Sequence, residues 1–355
     1  MSEQRWLLYG AYGYTGELLA EEAVRRGHRP TLAGRSAAKL EPLARRLGLP
    51  SVVVDLEDRG GLRKALEGHA LALHAAGPFV HTAAPMLWAC LDAGAHYLDI
   101  TGEIPVFEQT FAHDKQARER NVALISGVGF DVVPTDCMAR YVSERVKDAR
   151  ALHLAFDAVG SPSAGTTLSA LEGLPQGGRV RRGGMLVPWP LGKGARTVRF
   201  PGSSVRTVVP IPWGDLVTAF HTTGIPDITT YMSMPPRKAA VLRVAGPGLQ
   251  LALRSRGVRH AAAALVRRTV KGPNAAQREA GRSRVWARAE NDRGEFAEAW
   301  LETLEGYDFT ARSGIRAVEK TLELRPRGAT TPARAFGADF VLEIEGTRRF
   351  DALQA

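Results

Sequence analysis

The chain has 355 residues, 45% hydrophobic and 24% charged, a balance that fits a folded globular protein and excludes the disordered, fibrous and membrane classes. At roughly 100–200 residues per domain this length implies two domains. The net charge of +10 is spread along the chain in Arg pairs such as Arg25-Arg26 and Arg267-Arg268, with no nucleic-acid motif beside them, so nucleic acid is not an expected partner.

Residues 1–5 lead straight into a strand, without the charged and apolar stretches of an export signal. No uncharged apolar run approaches the roughly 18 residues of a membrane span. Two cysteines, Cys90 and Cys137, are too few for a disulfide framework or a thiolate metal site. The expected location is cytoplasmic. Short apolar strands are predicted at 6–9, 31–33, 51–54, 70–74, 97–100 and 123–126. Helical stretches at 16–26 and 38–47 fall between them, closed by Gly27 and Gly48. This alternation predicts an α/β chain: an N-terminal Rossmann fold with a mainly parallel, doubly wound sheet.

The first strand runs into Gly10-Ala11-Tyr12-Gly13-Tyr14-Thr15-Gly16, which opens a helix. In a dinucleotide-binding turn the first glycine permits the sharp bend, the second lets backbone amides approach a diphosphate, and the third lets helix and sheet pack closely. The diphosphate is expected at the positive helix N-terminus, on the amides around Tyr12, Gly13, Tyr14 and Thr15. The second strand ends Ala33-Gly34-Arg35-Ser36, where an NAD-binding chain places Asp or Glu on the ribose 2′-hydroxyl. Arg35 instead suits a 2′-phosphate, with Ser36 and Lys39 adding to it, so NADP(H) is the expected cofactor. Asp55, closing the third strand, reads either as an adenine neighbour or as a helix N-cap.

Three more motifs follow: Ala75-Ala76-Gly77-Pro78-Phe79, Tyr97-Leu98-Asp99-Ile100-Thr101-Gly102-Glu103, and Gly127-Val128-Gly129-Phe130-Asp131 continuing to Asp136. With the glycine turn, they resemble the saccharopine dehydrogenase-like oxidoreductases, and within them the branch that includes mycobacterial trans-acting enoyl reductases. The likeness covers about the first 140 residues and, more loosely, 331–337. It implies a nicotinamide site beside Ala76, Gly77, Pro78, Phe79, Thr101, Gly102, Gly129 and Phe130. Asp131 would orient the carboxamide or relay a proton. Phe79 also reads as a core aromatic, and Glu103 as either a catalytic or a capping carboxylate. Asp136 reads as structural, in the first turn of a helix at 137–146, and His96 and Tyr97 as strand residues.

After Asp148 strands succeed one another before any long helix, an α+β signature with a mixed or antiparallel sheet. Strands are predicted at 151–159, 196–200, 205–211, 216–221 and 227–232, helices at 238–254 and 258–270, and a hairpin at 284–290 and 295–302. Residues 160–194, rich in Gly, Pro and Arg, read as a mobile substrate-side loop. The basic helix pair is expected to pack on its own sheet with snorkelling Arg side chains, with a membrane surface as the alternative. Candidate proton donors here are Tyr231, His221 and Glu172. Met185, Leu186, Trp189, Trp213, Phe220 and Met232 would suit a long apolar substrate or simply a core. Arg179, Arg181 and Arg182 would suit an amino-acid substrate's carboxylates.

The expected domains are 1–136 for the dinucleotide, 137–325 for substrate and dimerisation, and 326–355 packing back on the first. The nine histidines show no ligand spacing, so no metal is assigned. The function expected is hydride transfer between NADP(H) and an enoyl C=C or imine of a small or lipid-like substrate, with Asp131, Glu103 and Tyr231 as catalytic candidates. The alternative is a non-catalytic NADP-binding scaffold or redox sensor. Peripheral membrane contact and a homodimer stay open.

Overall fold

A computed structural model describes residues 4–158, 162–202 and 205–353. The start at 1–3, the last residue of the strand expected at 151–159, and the opening of the 160–194 loop lie outside the described residues. The chain folds as two compact units, Met1–Asp131 with Tyr307–Phe336, and Val132–Gly306 with Gly337–Ala355. This division differs from the expected one. The helix Gly306–Leu324 and the segment to Phe336 join the dinucleotide unit, whereas the last residues return to the other.

In the first unit the strands are β1 (Trp6–Tyr9), β2 (Thr31–Gly34), β3 (Ser51–Val53), β4 (Leu71–His74), β5 (His96–Asp99) and β6 (Ala123–Ile125). The second unit holds β7 (Ala151–Ala158), β8 (Gly178–Arg182), β9 (Met185–Trp189), β10 (Arg196–Arg199), β11 (Val205–Pro210), β12 (Asp227–Ser233), β13 (Arg282–Glu290) and β14 (Phe296–Leu304). Then β15 (Gly328–Ala329) returns to the first unit and β16 (Arg348–Phe350) to the second.

The first sheet runs β15-β6-β5-β4-β1-β2-β3, with every pair parallel. This is the doubly wound order extended by a seventh strand. β1, β2, β4 and β5 are buried along their whole length, as a parallel sheet covered on both faces requires. Leu7, Leu8, Leu32, Leu71 and Leu73 are sealed in it. Each contributes roughly 1.5–3 kcal/mol of burial. The strand order reverses between β1 and β4, so loops leaving their carboxyl ends open a crevice between them.

The second sheet runs β10-β11-β12-β7-β13-β14-β16, with β8 added on β12 and β9 on β8. Only β12 and β7 pair parallel within it. Its hairpin β13–β14 sets Trp286 opposite Trp300.

The structure differs from the expected elements in several places. Residues 216–221 are not a strand but part of the helix Asp215–Thr223, whose Leu216, Val217, Thr218 and Ala219 are buried together. A short apolar run cannot distinguish a strand from a helix buried on most sides. The 160–194 loop is largely ordered into elements: Ser163 caps the helix Ala164–Gly173 by accepting from the Thr166 amide at 3.2 Å. β8 and β9 then form a hairpin across Gly183 and Gly184, both at positive φ, the two-residue turn such glycines favour. The helix expected at 137–146 begins earlier, as Val133–Ser143 with Pro134 in its first turn. The basic helices are Pro236–Arg254 and Arg256–Thr269. The first buries only Ala239, Gly246 and Leu253, and the second buries nothing, so neither lies flat on a sheet.

Candidate active site

The glycine turn, the end of β2 and the loops after β4, β5 and β6 all belong to the first unit, at the carboxyl edge of its sheet. The turn after β1 bends at Gly10, where φ is +80°. A Cβ there would stand 2.8 Å from both the Cβ and the amide N of Ala76, so glycine is needed for conformation and for space. A Cβ on Gly16 would collide with the Gly10 carbonyl. The helix α1 (Tyr14–Arg25) therefore starts hard against the turn. Gly13 is its N-cap, without a side-chain cap. Helical geometry leaves the first amides of α1 with no intrahelical acceptor, aimed toward the positive end of the dipole. A diphosphate fits such a cradle.

At the end of β2, Tyr12 lies across Gly34, where an added Cβ would come 2.5 Å from its ring. The Lys39 ammonium stands 5.9 Å from the same ring's centre. Arg35 is exposed and, among the described residues, has no ion-pair partner. Ser36 is the N-cap of Ala37–Leu47, with no side-chain cap bond. Asp55 does not cap a helix; its Oδ1 accepts the Glu57 amide at 3.0 Å, and Asp58 caps the helix Arg59–Leu66 by accepting from Gly61 at 2.9 Å. Asp55, Tyr12 and Arg35 all act on the buried Tyr9 phenol: burial raises its pKa first, then the charges of Asp55 and Tyr12, while Arg35 opposes them.

Ala76, Gly77 and Pro78 connect β4 to the helix Phe79–Ala93. The Phe79 ring stands edge-on to His74 and is buried with Ala83 and Val106, a core aromatic. Both oxygens of Glu103 are spoken for: Oε1 accepts the Phe79 amide at 2.9 Å and Oε2 the Val80 amide at 2.7 Å. It caps that helix with full charge at the positive end. Thr101 is buried, and its Oγ1 accepts the Glu103 amide at 3.0 Å. Asp99 below it accepts from Tyr97, Ser126, Thr101 and Gly127 at 2.8–3.0 Å. It thereby ties the ends of β5 and β6 together. His96 serves the strand, its Nδ1 accepting the Ala123 amide.

The turn after β6 brings Asp131 over Gly102, where a Cβ would lie 2.8 Å from its Oδ2. Burial, then the negative charge of Glu103, pushes the Asp131 carboxyl up to about 7. The helix Gly306–Leu324, in a stretch expected to belong to the second domain, holds this turn. Thr310 Oγ1 accepts the Phe130 amide at 3.0 Å, its methyl fills the space a Cβ on Gly129 would need, and Ser313 donates to the Val128 carbonyl at 2.8 Å. Tyr307 meets Tyr14 edge-on at 4.9 Å. No local pattern signals partners about 180 residues away in the chain; the small Gly314 facing Leu19 was the one trace of close helix packing.

The remaining candidates belong to the second unit. Tyr231 is buried on β12 with its hydroxyl 3.3 Å from His153 Nδ1. Arg181 is consumed by the Leu216 and Gly184 carbonyls, and Arg182 by Ile228 and Thr229. Asp136 is buried and accepts from Thr222, as a structural carboxylate.

A parallel doubly wound sheet, with a glycine turn at a helix N-terminus and a basic end to its second strand, defines a dinucleotide-binding protein of the Rossmann class. Residues 6–125 match the saccharopine dehydrogenase NADP binding domain. The chain is 33% identical over 153 residues to a trans-acting enoyl reductase of Mycobacterium leprae, covering 41% of this chain and 36% of the relative. It is 27% identical over 202 residues to a saccharopine dehydrogenase-like oxidoreductase of Mus musculus, covering 50% and 47%. The matches thus span less than half the length of these relatives. The whole fold is similar to the apo saccharopine dehydrogenase (L-Glu forming) of Saccharomyces cerevisiae, with a TM-score of 0.63, 11% identity and 96% of each chain covered.

Proposed function

We propose that the protein is an NADP(H)-dependent oxidoreductase that reduces an enoyl C=C or an imine of a small or lipid-like substrate. The observation that carries this reading is a single sheet edge bearing both a helix-start turn that requires glycine at Gly10 and Gly16 and Asp131, a buried carboxyl raised to about 7. NADPH, when bound, supplies the hydride. Amides at the start of α1 hold the diphosphate, while Arg35, Ser36 and Lys39 hold the 2′-phosphate. Asp131, its carboxyl raised to about 7 by burial and then by the charge of Glu103, is suited to act as a general acid near neutral pH. It delivers that proton to the substrate atom adjoining the carbon that is reduced, the α-carbon of an enoyl group or the nitrogen of an imine, and regains one from solvent. Glu103 keeps the Asp131 carboxyl up and caps the neighbouring helix; it is a positioning residue.

Titration with NADPH and NADH, followed by nicotinamide emission, tests the first half: tighter binding of NADPH is expected, and failure to bind either coenzyme overturns the reading. Enoyl thioesters and cyclic imines then test the second, through loss of NADPH absorbance. Binding of NADPH with no acceptor reduced would favour a scaffold or sensor.

A further inference from the structure

The helix Pro236–Arg254 touches the rest of its unit along one narrow stripe. Ala239, Gly246 and Leu253 are buried there, Gly246 lies against Leu191, and Gln250 donates to the Pro175 carbonyl at 3.2 Å. At 100° per residue, Val241, Val244 and Leu251 fall within an arc of roughly 80° on the opposite side. They are 64%, 82% and 66% exposed. The following helix, Arg256–Thr269, exposes Val258 and Leu265.

Charge singles out the same segment. Residues 228–278 contain ten Lys and Arg and no Asp or Glu. Among the described residues Arg237, Lys238, Arg243, Arg254, Arg267 and Arg268 have no ion-pair partner. A helix pair built only for water carries interleaved acids to pair with its bases. Here apolar side chains stand among unpaired cations, and no helix among the described residues is long and apolar enough to cross a membrane.

We propose that these two helices are a docking surface for an anionic lipid bilayer, lying in the plane of its interface. The Val and Leu side chains enter the acyl boundary and the Arg and Lys side chains meet the headgroups. A nucleic acid would neutralise the cations but leave the apolar stripe in water. A second copy of the chain would bring two acid-free basic faces together. An anionic bilayer answers both features: each cation near such a surface favours binding by about fivefold, and each buried aliphatic side chain by about tenfold or more.

Flotation of the full chain with vesicles tests this, using phosphatidylcholine alone and phosphatidylcholine mixed with phosphatidylglycerol, at low and high salt. The protein is expected to float with the anionic vesicles, less so at high salt, and not with phosphatidylcholine alone. The combined substitution Val241→Ser, Val244→Ser and Leu251→Ser is expected to weaken vesicle binding by about tenfold or more. Because these side chains are exposed, its circular dichroism and NADPH titration should match the parent. Absence of flotation on anionic vesicles, equal flotation on both lipid types, or an undiminished triple variant overturns the proposal. So does tight binding to a DNA duplex without flotation, or a dimer that the triple variant makes monomeric. NADPH titration of the same samples separates these outcomes from failure of the nucleotide site.

Discussion

Arg35 and Asp131 do different physical work, and each has its own test. Arg35 is an exposed side chain at the end of β2 with no ion-pair partner among the described residues, so removing it costs the free protein little. With the 2′-phosphate it makes a charge-assisted contact worth roughly 1.5–3 kcal/mol. Arg35→Ala should therefore weaken NADPH by about 10- to 150-fold and leave NADH nearly unchanged, read as two fluorescence titrations; equal losses would remove the 2′-phosphate role. Asp131 is raised by burial first and by Glu103 second. Taking away the Glu103 charge must then lower its pKa, since a negative neighbour disfavours the carboxylate. In Glu103→Gln the Asp131 carboxyl resonance should titrate at lower pH than in the parent, by carbon-detected NMR, and any activity needing the protonated acid should lose its alkaline limb at lower pH. An unmoved titration would show that burial alone sets the value. The basic end of β2 was legible from sequence because a missing carboxylate at a known position is a local signal, and Arg35 stands exposed there. The two oxygens of Glu103 on the Phe79 and Val80 amides were not, because a cap reached from the loop after the next strand depends on tertiary placement.

The elements of the first sheet were easy to read for a physical reason: a strand covered on both faces is a continuous apolar run, and β1, β2, β4 and β5 are buried throughout. The same logic misled at 216–221, where the helix Asp215–Thr223 is buried on most sides and loses its polar face. The Gly183-Gly184 turn that makes the β8–β9 hairpin was a legible signal passed over because the surrounding Pro and Gly suggested a loop. Least legible was the helix Gly306–Leu324, whose packing on α1 rests on Gly314: a Cβ there would come 2.7 Å from Leu19 Cδ2. Leu19 is fully buried, so it has little room to yield. Gly314→Leu should cost about 1–3 kcal/mol through overpacking, seen as a lower denaturation midpoint with an unchanged m-value. Gly314→Ala should stay within about 1 kcal/mol, because better helix propensity offsets a smaller clash. If Leu proves as harmless as Ala, the two helices are not in close contact. Since Thr310 and Ser313 on this helix hold the turn before Asp131, the Leu variant should also disturb the Asp131 titration.

On the scale of the whole molecule, two kinds of ionisable group couple stability to pH. Their windows overlap between about pH 3 and 4.3. His74 is fully buried among Tyr9, Phe79 and Tyr97, and burial takes its pKa down to about 3. In the unfolded chain a histidine titrates near 6.5. Below that value the unfolded state takes a proton that the folded state refuses, so stability present above about pH 6.5 is lost steadily toward about pH 3. Burial alone would raise Glu319, but hydrogen bonds from His28 and Arg316 and the charge of Arg26 hold it at about 2. Its contribution is present above the unfolded value near 4.3 and disappears as pH falls toward about 2. Asp131, raised to about 7, acts with the opposite sign: between about pH 7 and 4 the folded protein holds a proton that the unfolded chain has lost, which adds stability on acidification. In urea unfolding each window is therefore read as the difference between a variant and the parent. His74→Leu isolates the first window. Between about pH 6 and 4 it should reduce proton uptake on unfolding by roughly one proton per molecule. Glu319→Gln should leave that window unchanged and flatten the slope only below about pH 4.5. If His74→Leu keeps the parent's slope, the buried histidine is already protonated in the folded protein, and the packing around it must hold a counter-charge.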